Sequence, residues 1–153
     1  MLRISRLTDY GTMVLVYLAQ QRNLHCSAND VAGATHVALP TTQKLLKVLT
    51  RAGLVESARG ADGGYRLARS PEAITAADII DALEGPVAIT ECSTDASQCE
   101  LESMCMVGGA WQRINQAIRS ALVDISLAEL DNPSAEYRDS RAENIRKPSS
   151  QSV

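Results

Sequence analysis

The sequence predicts a mainly α-helical chain with one small β-hairpin. Three observations carry this. Apolar residues recur at every third or fourth position over most of the chain, the periodicity of helices with one buried face. Two short alternating runs flank Gly60-Ala61-Asp62-Gly63-Gly64, as strands flank a glycine-rich hairpin tip. Ser27-Ala28-Asn29-Asp30 and Thr75-Ala76-Ala77-Asp78 have the form of capping boxes, with Asp in the place of Glu, and mark helix starts. With no Phe and one Trp in 153 residues, the core must be built from Leu, Ile, Val, Ala and Met.

The first helix shows Tyr10, Met13, Val14, Tyr17 and Leu18 on one face, with Ser5 or Thr8 as cap and Asp9 in the first turn. It runs out near Arg22-Asn23. A short helix from Ala28 to Ala34 follows, then the tight connector Thr35-His36-Val37-Ala38. Leu39-Pro40 opens a third helix, since proline is tolerated at the first helical position, and Gly53 stops it. Leu45, Leu46, Val48 and Leu49 form its inner side. The opposite face carries Thr41, Thr42, Gln43, Lys44, Lys47 and Arg51, groups suited to base edges and phosphates. Helix, turn and helix followed directly by a hairpin is the winged helix-turn-helix plan. Arg59, at the base of the wing, is placed to enter a minor groove. A phosphate loop is excluded because Gly63-Gly64 feeds Tyr65 in a strand rather than Gly-Lys-Ser/Thr opening a helix.

Charge divides the same way. Residues 1–69 hold nine Lys/Arg against four Asp/Glu, a net of +5, whereas residues 70–153 hold six against fourteen, a net of −8. A basic head on an acidic body is the footprint of a phosphate-binding module. We expect domain limits of 1–85 for the winged helix-turn-helix, 86–105 for a cysteine loop, 106–130 for a dimerisation helix and 131–153 for a polar tail. The dimer expectation comes from the apolar stripe Val107, Trp111, Ile114, Ile118 and Ile125 on the long helix. Too little chain remains to cover it, so a second copy is the natural cover. No run reaches the ~18 apolar residues of a membrane span, and nothing directs the chain out of the cytoplasm.

Cys92, Cys99 and Cys105 lie in a polar loop with the spacing Cys-x6-Cys-x5-Cys. Free cysteines are usually buried, so three in such a loop suggest convergence on a metal, either zinc or an iron–sulfur cluster. Cys26, far from the triad, reads as a small buried side chain. His25 and His36 lie beside helix ends with no acid–base partner or nucleophile, so no enzyme site is expected.

Taken together, the chain resembles the bacterial iron–sulfur winged-helix repressors that include the assembly regulator IscR, the nitric-oxide sensor NsrR and the iron regulator RirA. Leu7-Thr8-Asp9-Tyr10-Gly11, Leu54-Val55, Arg59-Gly60-x-x-Gly63-Gly64-Tyr65-x-Leu67-Ala68, the cysteine triad, Ala110-Trp111 and Leu127-Ala128-Glu129-Leu130 carry the resemblance over residues 1–130. It implies a homodimer whose cluster, of two or four irons, alters binding to double-stranded operator DNA. Within the family the chain is most similar to regulators of the SUF cluster-assembly system, which implies a repressor of assembly genes. Two features depart from the family pattern: the first cysteine gap is six residues where five is usual, and Gly108 stands where IscR-type members place a histidine. In NsrR-type members the aspartate matching Asp9 is a fourth ligand from the opposite subunit. The alternatives are a zinc-bound, thiol-redox or nitric-oxide-responsive regulator with the same head, or an iron–sulfur electron carrier.

Overall fold

A computed structural model describes residues 4–22, 24–88 and 107–132. The cysteine triad and the polar tail from residue 133 lie outside the described residues. Helix α1 (Arg6–Gln20) is followed by α2 (Ala28–Thr35), α3 (Leu39–Arg51), the strands β1 (Val55–Ala58) and β2 (Gly64–Leu67), α4 (Ala76–Leu83), α5 (Gly108–Val123) and α6 (Leu127–Asp131). A single 3₁₀ turn, Pro71–Ala73, leads into α4.

Helix α1 is the hub, touching α2, α3, α4, α6 and β2. Ser5 caps it, its Oγ accepting from the Thr8 N–H at 3.3 Å. Val14, Leu15 and Leu18 are buried, while Met13 is 41 % exposed, so the buried face is turned slightly from the one the periodicity suggests. The capping boxes at Ser27–Asp30 and Thr75–Asp78 both form, and a third, Ser126–Glu129, opens α6. Helix α3 ends as a Schellman motif. Gly53 takes φ +73, its N–H reaches Thr50 O at 3.1 Å, and Leu54 N–H reaches Leu49 O at 3.0 Å. Leu49 and Leu54 are both buried, the apolar contact that accompanies this turn.

The hairpin pairs Val55 with Leu67 and Ala58 with Gly64. A third segment joins it: Cys26 and Tyr65 exchange backbone bonds of 2.9 and 2.8 Å, so the loop before α2 flanks β2. Gly64 makes this approach possible. A Cβ there would lie 2.6 Å from Cys26 O, at a φ of +147 that side-chain-bearing residues avoid. Cys26 is buried, as expected of it.

Sequence order does not reveal where α6 goes. Leu127 is fully buried, its N–H donates to Ile74 O at 2.8 Å, and Ala76 N–H donates to Ile125 O at 2.8 Å. Gln20 of α1 meets Asp131 at 2.7 Å. The short helix α6 therefore closes the core of the head. Helix α5 lies against α4, tied by two Arg119–Asp81 hydrogen bonds of 3.2 and 2.8 Å.

Candidate nucleic-acid interface and cluster ligands

Helix α3 is amphipathic by construction. Leu45, Leu46 and Leu49 are fully buried beneath it, and this fixes which side looks outward. Gln43, Lys44, Lys47 and Arg51 are exposed and Thr41 is half-buried. Thr42 is not part of that face. It is fully buried, and its hydroxyl lies 3.2 Å from Val37 O and 3.3 Å from Ala38 O. One residue after Thr41 is 100° further round the helix, enough to carry it inward, so the expectation of Thr42 at DNA is corrected to a structural role. Its hydroxyl satisfies the connector ahead of α3, which has no side-chain cap of its own.

Fixed charges sort the basic head further. Arg66 pairs with Glu56 across the hairpin and Arg69 with Asp78 at 3.3 Å, so both are partly neutralised within the fold. Lys44, Lys47, Arg51 and Arg59 have no carboxylate within ion-pairing distance among the described residues. Arg59 is exposed where β1 passes into the wing tip. Four unneutralised cations on the exposed helix and the wing base form a surface that attracts phosphates. Sequence reasoning missed one member of this architecture, the Cys26 segment that braces the wing. Its only local signal is Gly64, a second consecutive glycine just after the hairpin tip.

The thiol of Cys26 is not chemically poised. Burial, and next the nearby Asp30 carboxylate, push its pKa up, only partly offset by a hydrogen bond with Tyr17. Among the described residues no group of three or more His, Cys, Asp or Glu could hold a metal ion. Of the four expected ligands only Asp9 is described. It is exposed in the first turn of α1, and its carboxylate has no partner among the described residues. Next to it, Thr8 is buried and donates its hydroxyl to Glu84 Oε1, which also takes the Ser5 N–H at 2.8 Å. The Thr8 hydroxyl, and then the Ser5 amide, hold the Glu84 carboxyl below its ordinary pKa.

On α5, Ile118 and Leu122 are half-buried and line a cleft with Ile80 of α4, whereas Trp111 and Ile114 nearer its start, with Val107 and Ile125 beyond its two ends, stay 40–57 % exposed. The apolar stripe is thus divided along its length: Ile118 and Leu122 seat on the chain's own α4, and the stretch around Trp111 and Ile114 is open. No helix among the described residues is long and apolar enough to cross a membrane.

Known proteins share this arrangement. The chain is 34% identical over 143 residues to the HTH-type transcriptional regulator CymR of Bacillus subtilis (strain 168), covering 93% of this chain and 96% of the relative. It is 30% identical over 130 residues to the protein rrf2 of Nitratidesulfovibrio vulgaris, covering 84% and 87%. The solved structure of CymR, the global cysteine regulator of B. subtilis, superposes with a TM-score of 0.67 at 32% identity, over 88% of this chain and 99% of that one. The structure of T. potens IscR superposes with a TM-score of 0.63 at 30% identity, over 96% and 93%. Residues 4–133 match the Rrf2 family, described as an iron-dependent transcriptional regulator. Its members are transcription factors rather than enzymes. The chain belongs to the Rrf2 family of winged-helix, DNA-binding transcriptional regulators.

Proposed function

We propose that the protein is a homodimeric repressor that reads operator DNA with α3 and the wing. Its affinity is set by an iron–sulfur cluster on Cys92, Cys99 and Cys105, with Asp9 of the opposite subunit as the fourth ligand. One observation carries the DNA reading: Lys44, Lys47, Arg51 and Arg59 are unneutralised while neighbouring arginines are paired. Gln43 on the same exposed face supplies a group able to bond adenine bidentately, and Thr41 one able to pack on thymine methyls.

The donor set fits the cluster. Three thiolates are soft ligands suited to iron and sulfide. Asp9 has a carboxylate with no competing partner among the described residues. A carboxylate on iron is the weakest of the four bonds, so its loss is the natural point of entry for a signal. The exposed stretch of α5 around Trp111 and Ile114 supports the dimer, and a two-fold protein reads a pseudo-palindromic operator. Cluster-assembly genes are the targets this reading names.

The test is an anaerobic preparation analysed for iron, sulfide and visible absorption. It is followed by operator titrations of the loaded chain and of the chain after chelation. A brown protein whose colour is lost in Cys92→Ser, and whose operator affinity differs between the two forms, is the expected result. A colourless protein with stoichiometric zinc overturns it. That outcome favours the second reading, a regulator of cysteine supply or thiol status, which the 34% identity to CymR supports.

A further inference from the structure

Glu84 stands where the chain leaves α4, eight residues before Cys92. An exposed glutamate at a helix end needs no partner but water. This one reaches across the fold instead: a single oxygen, Oε1, accepts from the Ser5 N–H at 2.8 Å and from the Thr8 hydroxyl, partners 79 and 76 residues away. Ser5 is the cap of α1, and Thr8 is the residue whose N–H that cap takes, so one carboxylate grips both ends of the first turn. Just inside, α1 and α4 are in direct contact: a Cβ on Gly11 would lie 2.4 Å from Leu83 Cδ1. Asp9 follows Thr8 in that same turn, and its own N–H bonds to Ser5 O at 3.2 Å.

We propose that Glu84 is a positioning residue: it fastens the end of α4, from which the chain runs on to Cys92, to the first turn of α1 and thereby fixes the place of Asp9. The proposal rests on Asp9 serving as a ligand. It adds the element that transmits: movement at the end of α4 is passed through Glu84 to Ser5 and Thr8, and so to the hub helix of the DNA-binding head. Charge-assisted bonds suit this role, being about twice as strong as neutral ones while still broken by a small displacement.

The experiment uses the full-length chain purified without oxygen, as wild type, E84Q and E84A. E84Q keeps an acceptor oxygen for both donors; E84A keeps none. Hydrogen exchange at the amides of Ser5, Thr8 and Asp9 should accelerate at least about tenfold in E84A and less in E84Q, with amides of α3 unchanged. Unchanged exchange at those three amides, or acceleration spread evenly over the whole chain, overturns the proposal. A second arm follows bleaching of the cluster in air for wild type, E84A, Asp9→Ala and the double variant. If Glu84 acts through Asp9, E84A shortens the lifetime and the double variant matches Asp9→Ala alone. Additive effects overturn that route. A wild-type chain carrying no cluster refutes the cluster reading, and the exchange arm by itself then decides whether Glu84 fastens the turn.

Discussion

Leu127→Ala tests whether the five-residue helix α6 belongs to the core of the DNA-binding head. Leu127 is fully buried, although α6 follows a largely exposed helix and precedes a polar stretch. Removing three carbons costs about 2.4 kcal/mol in transfer alone at ~0.8 kcal/mol each. The site is walled by α1 and Ile74 and is bridged by the Leu127–Ile74 backbone bond, so it collapses poorly. A cavity term then brings the total to ~3–5 kcal/mol. Against a total stability of roughly 5–15 kcal/mol, that is a large share. Urea unfolding by far-ultraviolet circular dichroism, at one fixed protein concentration, should show a lower midpoint with unchanged slope. Leu130→Ala is the control: that side chain is 39 % exposed, and its loss should cost under ~1 kcal/mol. If Leu127→Ala also costs under ~1 kcal/mol, α6 is an appendage and the packing argument fails.

Four further outcomes are expected. Lys47→Ala should weaken binding to operator and random duplex alike and reduce the salt slope by ~0.9, the mark of one lost phosphate contact, measured by fluorescence anisotropy across a salt series. Thr42→Val, by contrast, should leave sequence preference untouched and cost ~0.5–1.5 kcal/mol of stability, because its hydroxyl serves the Val37 and Ala38 carbonyls. Ile114→Asp places a charge on the exposed stretch of α5 and should yield monomers by sedimentation while the head stays folded; an unaltered species dismisses this interface. Asp30, Glu84 and Glu129 have carboxyls held below their ordinary pKa, chiefly by hydrogen bonds from Ser27, Thr8 and Ser126 respectively. Their contribution is therefore present above the unfolded-state values and lost as pH falls through the lowered folded ones. Stability should decline from about pH 5 downward and remain flat to neutrality.

Local rules made most of the head legible. A capping box needs only four residues, so the starts of α2 and α4 followed from Ser27-x-x-Asp30 and Thr75-x-x-Asp78 alone. The end of α3 likewise followed from Gly53, where positive φ is nearly free of cost. The misses are long-range or angular. Thr42 looked exposed because a threonine among polar neighbours gives no sign of which carbonyls it can reach behind the helix. The docking of α6, the Cys26–Tyr65 bridge and the reach of Glu84 to Ser5 join residues 39 to 111 positions apart. No periodicity encodes such pairings. For the site, the spacing of the triad and the exposed side of α3 were readable in sequence. Which cations remain unneutralised was not, since that depends on Glu56 facing Arg66 across the hairpin.

The closed environment of Cys26 makes the chain's thiols countable in two classes. Cys26 is 6 % exposed, pinned between α1 and the wing by the bridge to Tyr65, and its pKa is raised by burial, so an alkylating reagent finds little access and a thiol whose ionisation is disfavoured. Of the four cysteines, Cys26 therefore labels only when the head opens. A mass spectrum taken during labelling of the native chain would separate two events: under the proposed function, adducts on Cys92, Cys99 and Cys105 would report loss of the cluster, and a further adduct on Cys26 reports opening of the head. Under that proposal one reagent serves as an occupancy gauge and a stability gauge in the same sample.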